Sequence, residues 1–572
     1  MMAMAEEGGS EKQAMIREID VPVTMRDGVV LRANVFRPRD DGRYPGILVR
    51  TPYGKAEGGY ERFVDAGYVV VVQDTRGRYA SEGEYVPFEA RDTGDGEDGY
   101  DSVEWLAKQP YCNGRVGTMG ASYNAWMQWV LARLRPPHLV AMCAQSIPVE
   151  LTELDYPGAF RPARRVHWWM TTIAPDIRRR RGLPGPHTPA EARRIWEEVE
   201  GPRWLYFMPW AELPDFLPEG LAEHVDRWLD DPRARPWGFD EAHSEIEVPN
   251  LDFSGWFDHC NGTMGHLRGM QRNARTEAAR AGSRLIIGPW SHVSAGQSSV
   301  EGFDFGPRAE VDVQGKIIEW FDHWLRGIEN GTAASPPVRY FVMGSGRWRD
   351  ADTWPPETDG EVDYFLDSEG DAGDVEGSGR LIRGTRGTGP CDSYVYDPRD
   401  PVPTLWTPRL FTVPSDRREL EYRRDILYYR SPPLEEEVEV VGYPRAVLFA
   451  SSSARDTDFF ARLVDDDPSG QALEISYGMV RARYRNSMER EELLSPGQVT
   501  EFDIRLGPTA CRFGRGHRIR LEITSSDFPN FDRNHNTGGN DLAEIEMMPA
   551  EQRVYHAGEE RSRLTVGVRE ED

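Results

Sequence analysis

Residues 114–134, GRVGTMGASYNAWMQWVLARL, set a β-type run, a turn of small residues and an apolar helical run directly end to end. The chain has to reverse within Gly120, Ala121 and Ser122, so the helix must pack straight back on the strand it leaves. That unit belongs to parallel sheets flanked by helices and to few other architectures. The neighbouring segments have the same character. Residues 45–53 and 67–77 carry short apolar runs bounded by Gly and Pro, with five apolar residues in succession at 68–72. Such runs read as strands buried on both faces. Alternating apolar positions on either side of Arg26-Asp27-Gly28 predict an antiparallel hairpin before this sheet. Residues 98–109 predict a helix capped by Asp98 or Asp101. The strand pattern resumes at 248–258 and 283–290, and a helix follows over 311–326.

Between these blocks the pattern breaks. Residues 150–240 are rich in Arg, Pro and Trp, hold seven of the 17 tryptophans and contain helical segments such as PAEARRIWEEVEG. Residues 145–240 therefore read as an insertion into the α/β domain. From residue 336 the runs VRYFVM, VEVVGYPRAVLFASS, FFARLVDD, QVTEFDIRL and RIRLEITSS alternate with Gly, Pro, Asp and Ser, and no helical period intervenes. This predicts an antiparallel β-sandwich.

Composition narrows the function. The 68 Lys+Arg against 95 Asp+Glu leave a formal charge of −27, which disfavours nucleic acid and anionic membrane surfaces as partners. No run of about 18 apolar residues predicts a transmembrane helix. No basic-then-apolar leader predicts secretion. Five Cys without a CxxC pair predict neither a disulfide framework nor a zinc ribbon. The expectation is a cytoplasmic protein that acts on a small molecule with no cofactor and no metal, a homo-oligomer remaining open. The acidic stretches at 92–101, 435–439 and 465–467 read as solvated surface, and the basic run at 178–181 as a solvated helix face.

The turn at Ser122 carries the chemistry. A Ser between a strand and a helix is held with its hydroxyl outward, and the helix N-terminus behind it favours negative charge. The strict GxSxG pattern is not met, because Asn124 stands at its last position. A Ser nucleophile needs a base, and the base needs an orienting acid. Of 12 His, His292 is best placed, in a loop after the apolar run 285–287, where open α/β sheets gather their sites. Asp258 follows the preceding run in the same way. The order Ser122, Asp258, His292 is that of the α/β-hydrolases. His259 is a rival base, but as the neighbour of Asp258 it is poorly placed to bridge that acid to Ser122. His224 and His323 read as surface residues of helices. For the oxyanion, the Tyr123 backbone N–H is one expected donor and the Tyr53 phenol, in the loop after the run 45–51, the other.

Taken together, VRTPYGK (49–55), QDTRGRYASEGEY (73–85), GASYNA (120–125), GWFD (255–258) and GPWSH (288–292) resemble the motifs of the cocaine-esterase-type (CocE/NonD) hydrolases. These belong to the X-Pro dipeptidyl-peptidase superfamily, which also holds α-amino-acid ester hydrolases and glutaryl-cephalosporin acylases. The resemblance implies an α/β-hydrolase domain in two parts, 1–144 and 241–335, an inserted helical cap over 145–240 and a C-terminal jelly-roll over 336–572. It implies Ser122 as nucleophile, His292 as base, Asp258 as orienting acid, and Tyr53 with the Tyr123 amide as oxyanion donors. The implied activity is serine hydrolysis of carboxylic ester or amide bonds through an acyl-enzyme. Alternatives are an X-Pro dipeptidyl-peptidase, a β-lactam or amino-acid ester acylase, an acyltransferase, and a non-catalytic binding protein on the same scaffold. Substrate-pocket candidates are Trp168 and Trp169 from the insertion and Trp256, His259, Cys260 and Trp290 beside the Asp and His motifs. The acidic residues that follow the catalytic Asp in α-amino-acid ester hydrolases are replaced here by His259, Cys260 and Asn261. A carboxylate for a substrate ammonium would then have to come from Glu153 or Asp155.

Overall fold

The computed structural model describes residues 15–88, 94–150, 152–230, 238–239, 242–384, 387–405, 411–558 and 561–570. Trp237 and Asp92 lie outside them. The predicted hairpin forms: β1 (Ile16–Thr24) and β2 (Val30–Arg37) pair antiparallel around a turn closed by Met25 N–H donating to Val29 O at 2.8 Å. Strands β3 (Tyr44–Thr51), β4 (Val69–Asp74), β5 (Cys112–Ala121) and β6 (Leu139–Gln145) complete a sheet of order β1-β2-β4-β3-β5-β6, parallel from β4 onward. Every residue of β4 is buried, as a strand covered by helices on both faces requires.

A second sheet contains β7 (Leu251–Phe257) and β8 (Arg284–Ser291), with the strands Val338–Val342 and Arg347–Ala351 beyond them. Val338–Val342 was expected to open the sandwich at residue 336. It pairs parallel with β8 instead, Val338 opposite Leu285, so the α/β sheet runs past that boundary. An alternating apolar run has the same appearance in either sheet, and partner choice is non-local.

The two sheets meet at Asn250. Met142 N–H donates to Pro249 O at 2.9 Å. The Asn250 side chain accepts from Ala144 N–H at 2.8 Å and donates to Ala144 O at 3.1 Å. A carboxamide carries the same donor and acceptor as a peptide group, so Asn250 continues the ladder by one rung where the main chains separate. The C-terminal ends of β5, β7 and β8 therefore open on one edge.

The insertion forms a helical cap. Helices Arg164–Trp168, Ala174–Arg181 and Leu221–Asp230 pack around Trp169, Trp196, Trp204, Trp210 and Trp228. His224, expected on the surface, stands edge-on to Trp169 with ring centroids 6.0 Å apart. Leu542 of the sandwich is part of this same core. Ala211 N–H donates to Leu542 O at 2.9 Å, and Ala163 N–H to Asn530 O at 2.8 Å. Behind this seam, Arg481 is buried against Asp458 at 3.1 Å and Asp532 at 2.9 Å. From Gly360–Asp367 to Arg563–Arg569 the chain builds the antiparallel sandwich around residues such as Phe459, Phe502, Leu521 and Val554.

The charged runs are less solvated than their composition suggests. The helix expected at 98–109 spans Asp95–Ala107, and Asp98 lies inside it. Asp95 faces Arg50 at 3.4 Å and Asp98 faces Arg76 at 2.6 Å, both carboxylates buried. Glu439 is buried against Arg349 and Arg512, and Asp465 against His517 at 2.8 Å. In the basic run, Arg180 donates to Tyr79 O and Ser81 O at 2.8 Å each, tying the cap to the loop after β4. Each partner comes from a distant segment, which no local pattern reveals. Among the described residues no helix is long and apolar enough to cross a membrane.

Replacing Asn250 by Leu leaves the Ala144 N–H and C=O buried without partners, at a cost of about 2–4 kcal/mol. The expected outcome is a lower urea midpoint for Asn250→Leu followed by tryptophan fluorescence. An unchanged midpoint would show that the main chains alone hold the sheets together.

Candidate active site

Ser122 stands between β5 and the helix Tyr123–Ala132 with φ 59° and ψ −125°. A non-glycine residue in this region costs on the order of 1–3 kcal/mol and persists only where its surroundings impose it. The turn is pinned by Ser122 N–H donating to Gln145 O at 2.9 Å and by Ser122 O accepting from Ala125 and Trp126. The Gln128 amide reaches Gly120 O at 3.1 Å and Asn124 O at 3.2 Å. Gly120 has φ +149°, and a Cβ there would lie 2.6 Å from Asn124 Cβ. Asn124, the departure from the usual small residue, is thus accommodated by glycine two residues before Ser122.

The helix begins at Tyr123, so its N–H is one of the first-turn amides with no partner within the helix. The Tyr123 ring anchors that amide. It is fully buried, its hydroxyl accepts from Phe88 N–H at 2.9 Å, and it packs on Phe88, Trp126 and Trp168. Tyr53 lies in the loop after β3, where two of the motif residues hold the backbone. Asp74 accepts from Lys55 N–H at 2.6 Å and from its ammonium at 2.8 Å. The wholly buried Arg78 donates to Pro52 O at 2.8 Å and to Ile173 O in the cap at 3.0 Å. Burial pushes the Tyr53 phenol up to about 12, so it stays protonated at neutral pH. The nearby Trp168 indole N–H offsets part of that rise. An indole N–H can only donate, so the phenol keeps its own proton for another acceptor.

Asp258 follows β7 and His292 follows β8. The Asp258 carboxylate accepts from His292 Nδ1 at 2.8 Å and from the Cys260 N–H at 2.8 Å through the same oxygen. Burial alone would depress the basicity of His292, but the Asp258 carboxylate outweighs it and holds the imidazole well above its ordinary 6.5. His259, the rival base, has its Nδ1 3.9 Å from Asp258, beyond hydrogen-bond reach. Burial and the neighbouring His292 keep it well below the ordinary range.

The pocket candidates divide. Trp168, His259 and Cys260 lie beside Tyr53 or His292: the His259 ring is 4.3 Å from that of His292, and the Cys260 thiol lies within 4.8 Å of a His292 nitrogen. Trp169, Trp256 and Trp290 do not face the site. Trp169 packs on Trp228 in the cap core. Trp256 donates to Phe341 O at 2.8 Å and stacks on Trp354. Trp290 is fully buried and donates to Gln297 O at 3.0 Å. β7 and β8 end at Phe257 and Ser291, one residue before Asp258 and His292, so both tryptophans still belong to the buried length of the sheet while the acid and the base stand beyond it. Asp155 is buried and paired with Arg165, so it is not free for a substrate ammonium. Sequence reasoning missed Phe411. It comes from the sandwich, stacks on His259 at 5.2 Å and faces His292 at 5.6 Å. It missed Arg165 as well, whose guanidinium lies 5.2 Å from the Trp168 ring centroid. Neither carries a local signal.

Comparison with known proteins places this arrangement. Residues 27–294 match the X-Pro dipeptidyl-peptidase (S15 family) model, and residues 330–565 match the model of the X-Pro dipeptidyl-peptidase C-terminal non-catalytic domain. The chain is 34% identical to the cocaine esterase of Rhodococcus sp. (strain MB1 Bresler), over 96% of this chain and 98% of that protein. Its fold is similar to that of an aminopeptidase from a Thaumarchaeota archaeon of marine sediment, at a TM-score of 0.75 and 22% identity, over 100% of this chain and 99% of the other. It is also similar to a CocE/NonD family hydrolase from Staphylococcus aureus, at 0.68 and 20% identity, over 97% and 94%. With the Asp–His pair, the strained Ser turn, the cap and the sandwich on one chain, the protein belongs to the CocE/NonD serine hydrolases of the X-Pro dipeptidyl-peptidase superfamily.

Proposed function

We propose that the chain hydrolyses carboxylic esters of small apolar acyl groups through an acyl-enzyme on Ser122. The observation that carries this reading is the 2.8 Å bond from His292 to Asp258 on the sheet edge where Ser122 is presented. Asp258 accepts from Nδ1 and so leaves Nε2 free as a base. His292 takes the hydroxyl proton of Ser122 as its oxygen attacks the carbonyl carbon, while Tyr53 and the Tyr123 N–H donate to the oxyanion. His292 then protonates the leaving alkoxide, activates water, and the acid departs.

Two observations favour an ester over an X-Pro peptide. An aminopeptidase must neutralise a substrate ammonium, whereas Asp155 is paired with Arg165, and Arg164 and Arg165 bring positive charge to His259. Trp168 beside Tyr53 and Phe411 beside His292 add aromatic surface to the site. The charge of −27 and five cysteines outside any disulfide support a cytoplasmic enzyme whose partner is a small molecule rather than nucleic acid or membrane.

Ser122→Ala is expected to lose aryl-ester turnover by a factor of about 10⁴ or more, and a fluorophosphonate is expected to label Ser122 in the wild type. Neither turnover nor labelling across a panel of aryl esters and X-Pro anilides would overturn the reading. The base acts only when neutral, and its basicity is raised. Hence kcat/KM should fall as pH drops through an apparent value above 6.5. Asp258→Asn should move this limb down and cut kcat by about 10⁴.

The indole beside Tyr53 makes a separate prediction. Trp168→Phe keeps an aromatic ring but removes the N–H next to the Tyr53 hydroxyl. Its kcat should fall about tenfold with KM little changed, and a loss of one oxyanion donor by Tyr53→Phe should cost about 10²–10³. In the Tyr53→Phe background Trp168→Phe should have no further effect on kcat. An undiminished effect there would assign Trp168 to acyl binding.

A further inference from the structure

His259 and Cys260, directly after Asp258, complete an unusual cluster with Asp258 and His292. Asp258, His259, Cys260 and His292 each offer one ligand atom, and the four atoms all lie within 4.8 Å of one another. His259 Nδ1 is buried with no hydrogen-bond partner, and it faces Asp258 at 3.9 Å. The Cys260 backbone N–H is held by the Asp258 carboxylate at 2.8 Å. That turn sets the thiol beside His292. A tetrahedral ion with bonds of about 2.0–2.3 Å needs ligand atoms about 3.3–3.8 Å apart, so a pair as wide as 4.8 Å closes by about 1.0–1.5 Å and the 2.8 Å Asp258–His292 bond opens by about 0.5–1.0 Å.

We propose that Asp258, His259, Cys260 and His292 form an inhibitory site for a thiophilic divalent cation of the Zn²⁺ type. Two imidazoles, one thiolate and one carboxylate are a zinc donor set and a poor one for Mg²⁺ or Ca²⁺. The carboxylate and thiolate charges balance the ion, against the opposing guanidinium groups of Arg164 and Arg165. On binding, the S–H bond of Cys260 is exchanged for an S–Zn bond and its proton leaves to solvent. The His292 nitrogen that takes the ion gives up its proton to solvent or to the other ring nitrogen. Nothing is oxidised. Inhibition follows because the ion takes up the Asp258–His292 pair, and this half of the inference rests on the role proposed for that pair. The other cluster of this kind among the described residues, His535, Asp541 and Glu544, has no thiol, and its Asp541 already faces Arg483 at 3.5 Å. It therefore serves as an internal control.

The test separates binding from turnover. Equilibrium dialysis of Ser122→Ala protein against Zn²⁺ should show one ion that is lost in added Cys260→Ser or His259→Gln variants and retained with Glu544→Gln. Co²⁺ should give a thiolate-to-metal charge-transfer band in the near ultraviolet that Cys260→Ser abolishes. In the Ser122-containing enzyme, Zn²⁺ should inhibit ester turnover reversibly with EDTA, and the half-inhibiting concentration should rise at least about tenfold in His259→Gln and Cys260→Ser. Zn²⁺ binding that is unaltered by both substitutions, or lost with Glu544→Gln instead, overturns the site. Binding with unaltered turnover overturns the inhibition. A protein with no ester turnover at all fails the proposed function, while dialysis and the cobalt band still report the cluster.

Discussion

The Asn250 carboxamide, beside the backbone bond from Met142 to Pro249, joins the two halves of the catalytic domain. The sheet that carries Ser122 ends at β6, and the sheet that carries Asp258 and His292 begins at β7. Between them the Asn250 side chain makes both bonds to Ala144 that a neighbouring strand would make. Buried backbone groups at a sheet edge are costly unless satisfied. Here the satisfaction also sets distance and direction. If the halves slid or splayed, a serine on one and a histidine on the other would no longer share an edge, however well each was held locally. The 100-residue excursion of the cap is tolerated between β6 and β7 because this joint closes behind it.

What the sequence revealed follows from the range of the interactions involved. The hairpin at Arg26-Asp27-Gly28, the doubly buried β4 and the turn at Ser122 are decided by neighbours in the chain, and composition alone exposes them. Asp258 and His292 lie 34 residues apart, and they emerged because each follows an apolar run that ends on the same side of a parallel sheet. Trp256 and Trp290 sit two residues before Asp258 and His292 and yet are interior, since they still belong to β7 and β8, which end just before the acid and the base. Phe411 comes from another domain. The placement of Val338–Val342 in the α/β sheet depends on which strand edge is vacant, and no residue of its own records that.

The net charge tells a similar story. An excess of 27 acidic groups suggested carboxylates spread over a wetted surface. Several of them are instead interior: Asp95 and Asp98 with Arg50 and Arg76, Glu439 with Arg349 and Arg512, Asp458 and Asp532 with Arg481. A buried pair adds little stability over an apolar one, but losing one partner is severe. These pairs therefore act as registration marks. Arg78 does the same: paired with the buried Asp176 of the cap at 3.5 Å, its guanidinium also holds Pro52 O and Ile173 O together, so the loop bearing Tyr53 and the cap above it keep one spacing.

The cap is sewn to the sandwich as well as to its own domain. Leu542 completes the cap's apolar core, and the segment around Asn530 and Asp532 bonds its backbone at Ala163 and Arg161. A cap bonded at its far side to another domain is held there as well as at its base. In evolutionary exchange the consequence is modular: a cap borrowed from a relative fits only if the sandwich loop that plugs it travels along, and the two segments, far apart in the chain, are inherited as one part.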